Sequence, residues 1–321
     1  NHSLLPLMLL YSLKRIGLAL VIIFFAMLVL FSLIHLIPGD PVSIALGPRA
    51  TAEIQAKYAE RMGLNDPFIV QYLKFMWNAL QGDLGSDVFT DRSVTKTVLS
   101  QMKFTVILAV AGLGWAALLG IPLGCLSAVQ RNSFLDKFTG VLSVGTIAIP
   151  SFVVSIWALL IFAVTFKIFP VIGAGKSGDL LDQIWHLILP AFAIGLGWVG
   201  YLARIVRASM LEVMGENYIR AAKAYGLPNS AVVYRYALKV AILPTVTLLG
   251  VGMGNLLSGA VFAEIIFARP GVGKLIVDMV MTRNFPVVQG AVLLTSILYV
   301  LMVTLTDLLA ASLDPRVRKS I

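Results

Sequence analysis

The sequence predicts an all-α polytopic membrane protein, with six transmembrane helices and a helical extracytoplasmic loop between helices 1 and 2. Hydrophobic residues make up 59% of the 321-residue chain and charged residues only 13%, whereas a soluble domain carries roughly 25% charged residues. The hydrophobic residues are gathered in stretches long enough to cross a bilayer, which needs about 20 apolar residues per helix. So few charges exclude an ordinary soluble enzyme and a disordered protein.

Six apolar stretches are predicted to cross the membrane. They cover residues 16–37, 104–129, 138–169, 187–206, 240–265 and 288–311. The third stretch would extend about 48 Å at ~1.5 Å per residue, which is too long for one straight crossing. Either Pro150 breaks or kinks this helix, or the helix continues beyond the membrane.

Two polar segments separate the spans. Residues 38–103 contain two expected amphipathic helices, near 52–62 and 67–80, and are the only stretch large enough for a small layer outside the membrane. Residues 207–239 form a polar loop between the fourth and fifth spans.

The distribution of charge predicts the orientation of the chain. The net charge of +9 by itself suggests nucleic acid or an anionic surface as a partner. However, 13 basic residues fall on the side of the two termini, against 5 in the short loops of the other side. Since cytoplasmic loops carry the excess of Lys and Arg, residues 1–15 (a cytoplasmic or interfacial segment) and the tail 312–321 are predicted to be cytoplasmic. Residues 38–103 then face outside, and the charge no longer indicates nucleic-acid binding.

No catalytic residue, metal site or bound cofactor is predicted for this chain. The three histidines and the single cysteine are spread along the sequence without metal-ligand spacing. The segment Gly173-Ala174-Gly175-Lys176-Ser177 resembles a phosphate-binding loop, but Pro170 stands where that pattern requires glycine.

Two features within the spans allow both a structural and a functional interpretation. Asp307 is an ionisable group inside the sixth span. Its role is either structural, at the membrane boundary, or functional, in a pathway or coupling step. Gly250 and Gly254 lie in the fifth span, where small residues either permit close helix packing or form a flexible pathway lining.

The loop 207–239 contains the most informative segment. Residues 216–226 have the pattern of a short amphipathic helix, because their alanines favour helix and Gly226 can take the positive-φ position at its end. Tyr218 and Tyr225 flank a small-residue centre, which suits docking into a groove of a partner protein. An ordinary solvated loop explains the same pattern equally well.

This loop resembles the coupling loop of ABC importer permeases. Arg220-Ala221-Ala222, followed by Gly226 and Ile242-Leu243-Pro244, is similar to the "EAA" motif of that family, and Arg220 in place of Glu is similar to its dipeptide/oligopeptide/nickel branch. Arg283-Asn284-Phe285-Pro286 differs from that branch at Asn284, where Asp is more usual. Other segments that resemble the branch are Pro38-Gly39-Asp40-Pro41, Gly63-Leu64-Asn65-Asp66-Pro67, Gly82-Asp83-Leu84-Gly85, Ile149-Pro150-Ser151-Phe152, Glu264-Ile265-Ile266-Phe267, Pro270-Gly271-Val272-Gly273 and Asp314-Pro315-Arg316.

The resemblance implies a non-catalytic permease subunit that moves di- or oligopeptides, or peptide-like solutes, across the bacterial inner membrane. Its implied partners are a second homologous permease, two ABC ATPase subunits that bind ATP and Mg²⁺, an extracytoplasmic substrate-binding protein and the lipid bilayer. The residues expected to couple to the ATPase are Glu216, Tyr218, Ile219, Arg220, Ala221, Ala222, Lys223, Ala224, Tyr225 and Gly226. The candidates for a pathway or gating role are Pro150, Ser151, Gly250, Gly254 and Asp307.

Other functions remain as alternatives. Importers of the same class carry nickel, glutathione, opines or oligosaccharides. A secondary carrier or channel is a more distant alternative, because the sequence lacks an inverted repeat and a charge network within its spans. A membrane-embedded enzyme would need a catalytic cluster that the sequence lacks.

Overall fold

The computed structural model describes residues 4–36, 47, 51–61 and 65–313. In chain order its helices are α1 (Leu4–Leu36), α2 (Ala52–Arg61), α3 (Phe68–Leu80), α4 (Val94–Val129), α5 (Phe134–Ala148), α6 (Ser151–Ala158, continuing as the π-helical segment Leu159–Thr165), α7 (Leu180–Met214), α8 (Asn217–Ala224), α9 (the π-helical segment Ala231–Ala237, continuing as Leu238–Ala241), α10 (Leu243–Ile266), α11 (Val272–Met281) and α12 (Phe285–Leu313). Among the described residues, the one feature of β type is an isolated bridge between Ser86 and Ser93. The all-α fold class is therefore confirmed.

Among the described residues, five helices are long and apolar enough to cross a membrane. They are Ile16–Ile34 within α1, the whole of α4, α7 and α10, and Phe285–Thr306 within α12. Several of these helices extend beyond the predicted spans: α1 begins at Leu4 rather than at residue 16, α4 begins at Val94 rather than at residue 104, and α7 covers Leu180–Met214 rather than 187–206. The reason is that hydropathy marks only the apolar part of a helix, whereas the backbone hydrogen bonds continue into its polar ends.

The predicted third span, 138–169, consists of two helices. α5 and α6 are bent by 97° at the break between them. Pro150 has no N–H for the helical ladder and disfavours helical backbone at the residue before it. Accordingly, Ile149 is extended, with ψ 119°. Counting this bent pair as one span gives six candidate spans in the described chain.

The chain divides into two compact units. The first consists of Asn1–Phe104 and Pro270–Leu298, and the second of Thr105–Arg269 and Tyr299–Ile321. In the first unit, α1 buries residues spaced four apart, which lie on one face of a helix. These residues are Ala19, Ile23, Met27 and Phe31.

In the second unit, α4 and α7 pack closely along a line of glycines. A Cβ atom added at Gly112, Gly120 or Gly124 would come too close to atoms of α7. The indole N–H of Trp115 also donates a hydrogen bond to the carbonyl of Ala191 at 2.8 Å. These contacts fix α7 against α4, and the loop predicted to be functional follows α7 directly.

Several sequence motifs lie outside the described residues. They are Pro38-Gly39-Asp40-Pro41, Gly63-Leu64 and Asp314-Pro315-Arg316. The backbone of Asp307 belongs to α12, but its side chain is outside the described part of the chain. Its pathway or coupling role stays a prediction.

Candidate functional site

The predicted coupling segment forms a short helix directly after α7. α7 is capped by Gly215, and α8 begins after Glu216, whose backbone is extended with ψ 149°. The Arg220 guanidinium donates a hydrogen bond to the carbonyl of Gly215 at 3.1 Å. This bond ties the middle of α8 to the end of the long helix before it.

The inner face of α8 is anchored on the helices beside it. Ile219 is 0% exposed and Ala222 is 7% exposed, and residues three apart share one face of a helix. Both belong to a buried cluster with residues of α4, α7 and α9. Its other members are Cys125, Ala128, Val206, Met210, Val213, Val232, Val233, Ala237 and Ala241. A force on α8 would therefore reach α4 and α7 through packed side chains.

Gly226 closes α8 with a Schellman motif. The Leu227 N–H donates to the carbonyl of Ala222 at 3.3 Å, and the Gly226 N–H donates to that of Lys223 at 3.0 Å, which are the two bonds of this motif. Gly226 has φ +76°, and no atom lies within 4 Å of the position that a Cβ would take. Glycine is therefore favoured here because of its backbone conformation and not because of a lack of space.

The outer face of α8 is exposed and carries aromatic and basic side chains. Tyr225 is 88% exposed and Tyr218 is 42% exposed, and Arg220 and Lys223 are also exposed. The other exposed residues of the predicted set are Glu216, Ala221, Ala224 and Gly226. The structure thus divides the predicted coupling residues: eight are accessible to a partner, whereas Ile219 and Ala222 are covered by the chain itself.

Sequence reasoning missed three exposed large hydrophobic or aromatic side chains in this region. Leu227 follows α8, and Tyr234 and Tyr236 lie on α9, which contacts α8. Exposed aromatic residues are typical of protein interfaces. The triplet Tyr234-Arg235-Tyr236 was the available signal in the sequence.

Hydrogen bonds to the buried carboxylate of Asp136 join three helices of the same unit. Both oxygens of the Asp136 carboxylate accept hydrogen bonds from the Arg207 guanidinium, at 2.5 and 2.9 Å. The Ser127 hydroxyl donates to the same carboxylate at 2.5 Å and the Asn132 N–H donates at 2.9 Å. Asp136 thereby connects the end of α4, the start of α5 and the last third of α7. Sequence reasoning missed this network, because its partners are up to 71 residues apart.

Pro150 and Ser151 lie at the break between α5 and α6. Pro150 is the N-terminal cap of α6, and its carbonyl accepts hydrogen bonds from the N–H groups of Val153 and Val154 at 3.0 and 3.2 Å. The Ser151 carbonyl also accepts a bond from the Ser155 hydroxyl at 2.9 Å. Non-helical backbone at membrane depth is tolerated where it is buried in protein or lines a water-filled cavity.

Gly250 and Gly254 lie at a contact between α10 and α12. A Cβ at Gly250 would overlap the Thr306 side chain, and a Cβ at Gly254 would overlap the Tyr299 ring. Small residues at such positions let two membrane helices approach closely. This geometry favours the packing interpretation of the two glycines, and their gating role stays a prediction.

α10 also has an exposed face that sequence reasoning missed. Val251, Asn255, Ser258 and Phe262 are exposed, and their spacing places them along one side of the helix. The Phe262 ring lies 5.8 Å from the ring of Phe152, at the start of α6. Two polar side chains, Asn255 and Ser258, therefore project from α10 on the side of the helix that also carries Phe262.

Glu264, at the end of α10, is buried and bonded. It is 0% exposed and accepts a hydrogen bond from the Thr105 hydroxyl of α4 at 2.5 Å. Burial lowers the pKa of the nearby Arg269, and the negative charge of Glu264 partly offsets this effect. The segment beginning at Glu264 is thus held to α4. Elsewhere in the described residues, no three His, Cys, Asp or Glu side chains come together in a group that could hold a metal ion.

The chain is similar to a known family over nearly its whole length. Residues 120–319 match the family described as "Binding-protein-dependent transport system inner membrane component". Residues 8–109 match a second family, which is described as the N-terminal part of such membrane components.

Individual relatives match the chain from end to end. The chain is 35% identical to the glutathione transport system permease protein GsiC of Pectobacterium atrosepticum, over 97% of this chain and 99% of the relative. It is 34% identical to the dipeptide transport system permease protein DppB of Escherichia coli K12, with the same two coverages.

A solved structure shares the fold. The inward-facing MetNI methionine ABC transporter superposes with a TM-score of 0.57 at 18% identity, over 68% of this chain and 96% of that one. A helical membrane fold, an exposed helix anchored between membrane helices and end-to-end relatives agree with the resemblance drawn from the sequence. The chain therefore belongs to the binding-protein-dependent transport system inner membrane components, the permease subunits of ABC importers, in the dipeptide/oligopeptide/nickel branch.

Proposed function

We propose that this permease carries di- or oligopeptides, or peptide-like solutes, across the bacterial inner membrane. The observation that supports this substrate class best is that two relatives with 97% coverage of the chain are named as glutathione and dipeptide permeases. Glutathione is itself a short peptide, so both names share one chemistry. Nickel, opines and oligosaccharides are the alternatives within the same class of importer.

The outer face of α8 is the proposed docking site for an ATPase subunit. Tyr218 and Tyr225 supply aromatic contact area, and Arg220 and Lys223 supply positive charge, while the alanines between them allow a close approach. Ile219 and Ala222 transmit the resulting force to α4 and α7 instead of contacting the ATPase. In this proposal, ATP and Mg²⁺ bind to two partner ATPase subunits, and this chain has no catalytic residue.

The proposed pathway wall includes the break at Pro150-Ser151 and the exposed face of α10. Polar groups are costly in lipid, so Asn255 and Ser258 are expected to face water or a partner subunit. A second permease subunit would supply the opposite wall. Amide and hydroxyl side chains can exchange hydrogen bonds with the peptide groups of a passing substrate.

The proposed orientation places both termini and α8 in the cytoplasm. It rests on the excess of basic residues on that side, which includes six between Arg204 and Lys239. The loop 38–103 then faces an extracytoplasmic substrate-binding protein, which delivers the substrate.

Uptake by the purified complex tests this function. The chain, purified with the proteins bound to it and reconstituted into liposomes, is expected to accumulate a labelled dipeptide only with the binding protein and hydrolysable ATP. A non-hydrolysable nucleotide should abolish uptake. Uptake by this chain alone, driven by an ion gradient, would instead identify a secondary carrier.

The substrate class has a separate test. Dipeptides and glutathione are expected to raise the melting temperature of the binding protein encoded alongside this chain. A shift with nickel or an oligosaccharide, and none with peptides, would replace the peptide proposal with one of its alternatives.

A further inference from the structure

Helix α3 packs against α1 within the apolar stretch of α1. The Tyr72 ring lies 5.2 Å from the ring of Phe24 and 5.7 Å from that of Phe31, measured between centroids. The Tyr72 hydroxyl donates a hydrogen bond to the Phe24 carbonyl at 2.6 Å. The Phe68 ring also lies 5.6 Å from Phe31. Both helices belong to the same compact unit, so these contacts define where α3 lies along α1.

The depth of these contacts follows from their positions in the apolar stretch of α1. The candidate span of α1 is Ile16–Ile34. At ~1.5 Å per residue, Phe31 lies about 4.5 Å before the end of that span and Phe24 lies about 15 Å before it. Helices that lie in a membrane interface bury their apolar faces about 5–10 Å below the headgroups. Phe31, which contacts Phe68, Tyr72 and Phe75, lies at about this depth, and Phe24 lies deeper.

The surface of α3 has three sides of different chemistry. One side, with Phe68, Tyr72 and Phe75, packs against α1. The second side is apolar but exposed: Ile69 is 56%, Leu73 52%, Trp77 66% and Leu80 75% exposed. The third side carries Lys74 and Asn78, and Lys74 forms an ion pair with Asp66 at 2.6 Å.

We propose that α3 is an interfacial helix, whose apolar side faces lipid acyl chains in the leaflet at the C-terminal end of α1. A helix at the membrane interface contacts protein, acyl chains and water. It therefore needs one side that packs on protein, one that is apolar and one that is polar. Tryptophan is enriched at the membrane interface, and Trp77 lies on the apolar side. Exposed to water, the four large apolar side chains would be costly, and the contacts of Phe68, Tyr72 and Phe75 already hold α3 beside the apolar stretch of α1.

This placement changes the role of the loop between the first two spans. α3 belongs to this loop, and in the proposed placement it brings the chain to the membrane surface before α4 begins. α3 would therefore hold the end of α1 and support the extramembrane part of the loop from the lipid side.

Nitroxide labels at single cysteines test the proposal. In a Cys125→Ala background, labels are introduced by Leu73→Cys and Trp77→Cys, with Asn78→Cys as the matched position on the polar side of α3. Ile22→Cys, which is 62% exposed within the span of α1, serves as the lipid reference. The membrane complex containing the labelled chain is reconstituted into vesicles of bacterial phospholipid, and collisions with oxygen and with a water-soluble nickel complex are measured.

The Leu73 and Trp77 labels are expected to have an oxygen-to-nickel collision ratio several-fold above that of the Asn78 label and similar to that of the Ile22 label. A ratio equal to that of the Asn78 label would show exposure to water and overturn the proposal. Low collision rates with both reagents would show that a protein covers the face, and would overturn it as well.

A second measurement avoids cysteine labels. Brominated phospholipids should quench the tryptophan fluorescence of the unmodified complex, and Trp77→Phe should remove a measurable part of the quenched signal. An unchanged quenched signal in Trp77→Phe would contradict the presence of Trp77 in lipid.

Discussion

The expected role of Gly226 depends on its backbone conformation. Gly226 has φ +76° and open space around its Cβ position. Most L-residues would lose about 1–2 kcal/mol of stability in this left-handed conformation, whereas asparagine tolerates it better. Gly226→Val should therefore distort the end of α8, and Gly226→Asn should preserve it. The expected result is a large loss of uptake and of substrate-stimulated ATP hydrolysis in Gly226→Val, with the complex still assembled.

The asparagine variant is the control for side-chain bulk. Both variants add a side chain into open space, so only the backbone preference differs strongly between them. Normal uptake and ATP hydrolysis in Gly226→Val would refute the role of this conformation in coupling. So would equal losses in the two variants.

Asp136 contributes to stability through four hydrogen bonds to its carboxylate. Asp136→Asn leaves the Arg207 charge without a counter-ion in a largely buried place. The loss should be about 2–3 kcal/mol, below the ~3–5 kcal/mol of fully buried pairs, because the Arg207 side chain is 33% exposed. The thermal unfolding midpoint of the purified chain measures this effect.

The pair Lys274–Asp278 provides the matched control. Its side chains are 33% and 49% exposed, and exposed pairs four residues apart on a helix contribute about 0.3–0.5 kcal/mol. Asp278→Asn should therefore leave the midpoint nearly unchanged. Equal shifts in the two variants would contradict a special contribution of the Asp136 network.

At the scale of the helices, a substitution at Gly254 distinguishes a packing role of this glycine from a gating role. Gly254→Ala would push a methyl group into the Tyr299 ring, and such overpacking costs about 1–3 kcal/mol. Gly259→Ala on the same helix meets no atom within 4 Å and should be nearly neutral. The midpoint of thermal unfolding should fall in the first variant and not in the second.

A second substitution separates the two roles. Tyr299→Ala removes the atoms that the new methyl group would meet, so it should reduce the cost of Gly254→Ala. If Gly254→Ala instead abolished uptake without any loss of stability, and Tyr299→Ala gave no rescue, the gating role would be favoured.

Some elements were predictable from the sequence and others were not, for physical reasons. Hydropathy located the apolar stretches because lipid requires about 20 apolar residues per span. It gave no angle for the break at Pro150, because a bend of 97° depends on what the two helices pack against. The short helix α8 was predictable from its alanines and Gly226. The burial of Ile219 and Ala222 depended on contacts with the neighbouring helices α7 and α9 and with α4, which is distant in sequence.

At the scale of the whole molecule, the composition alone identified a membrane protein and the motifs identified its family. The low share of charged residues and the resemblance at Arg220-Ala221-Ala222 agree with the end-to-end relatives. The Asp136–Arg207 pair could not be predicted, because it forms where separate helices pack together. The exposed polar face of α10 could not be predicted either, because it depends on which side of α10 the other helices leave uncovered.

Photo-crosslinking at α8 tests the central claim, that this helix docks an ATPase. A photoreactive amino acid replaces Tyr225, which is 88% exposed, and the same group at Asn78 on α3 serves as the control. Irradiation of the assembled complex should join the chain covalently to an ATP-hydrolysing subunit from position 225 and not from position 78. An intact complex in which position 225 yields no adduct with that subunit would contradict the account.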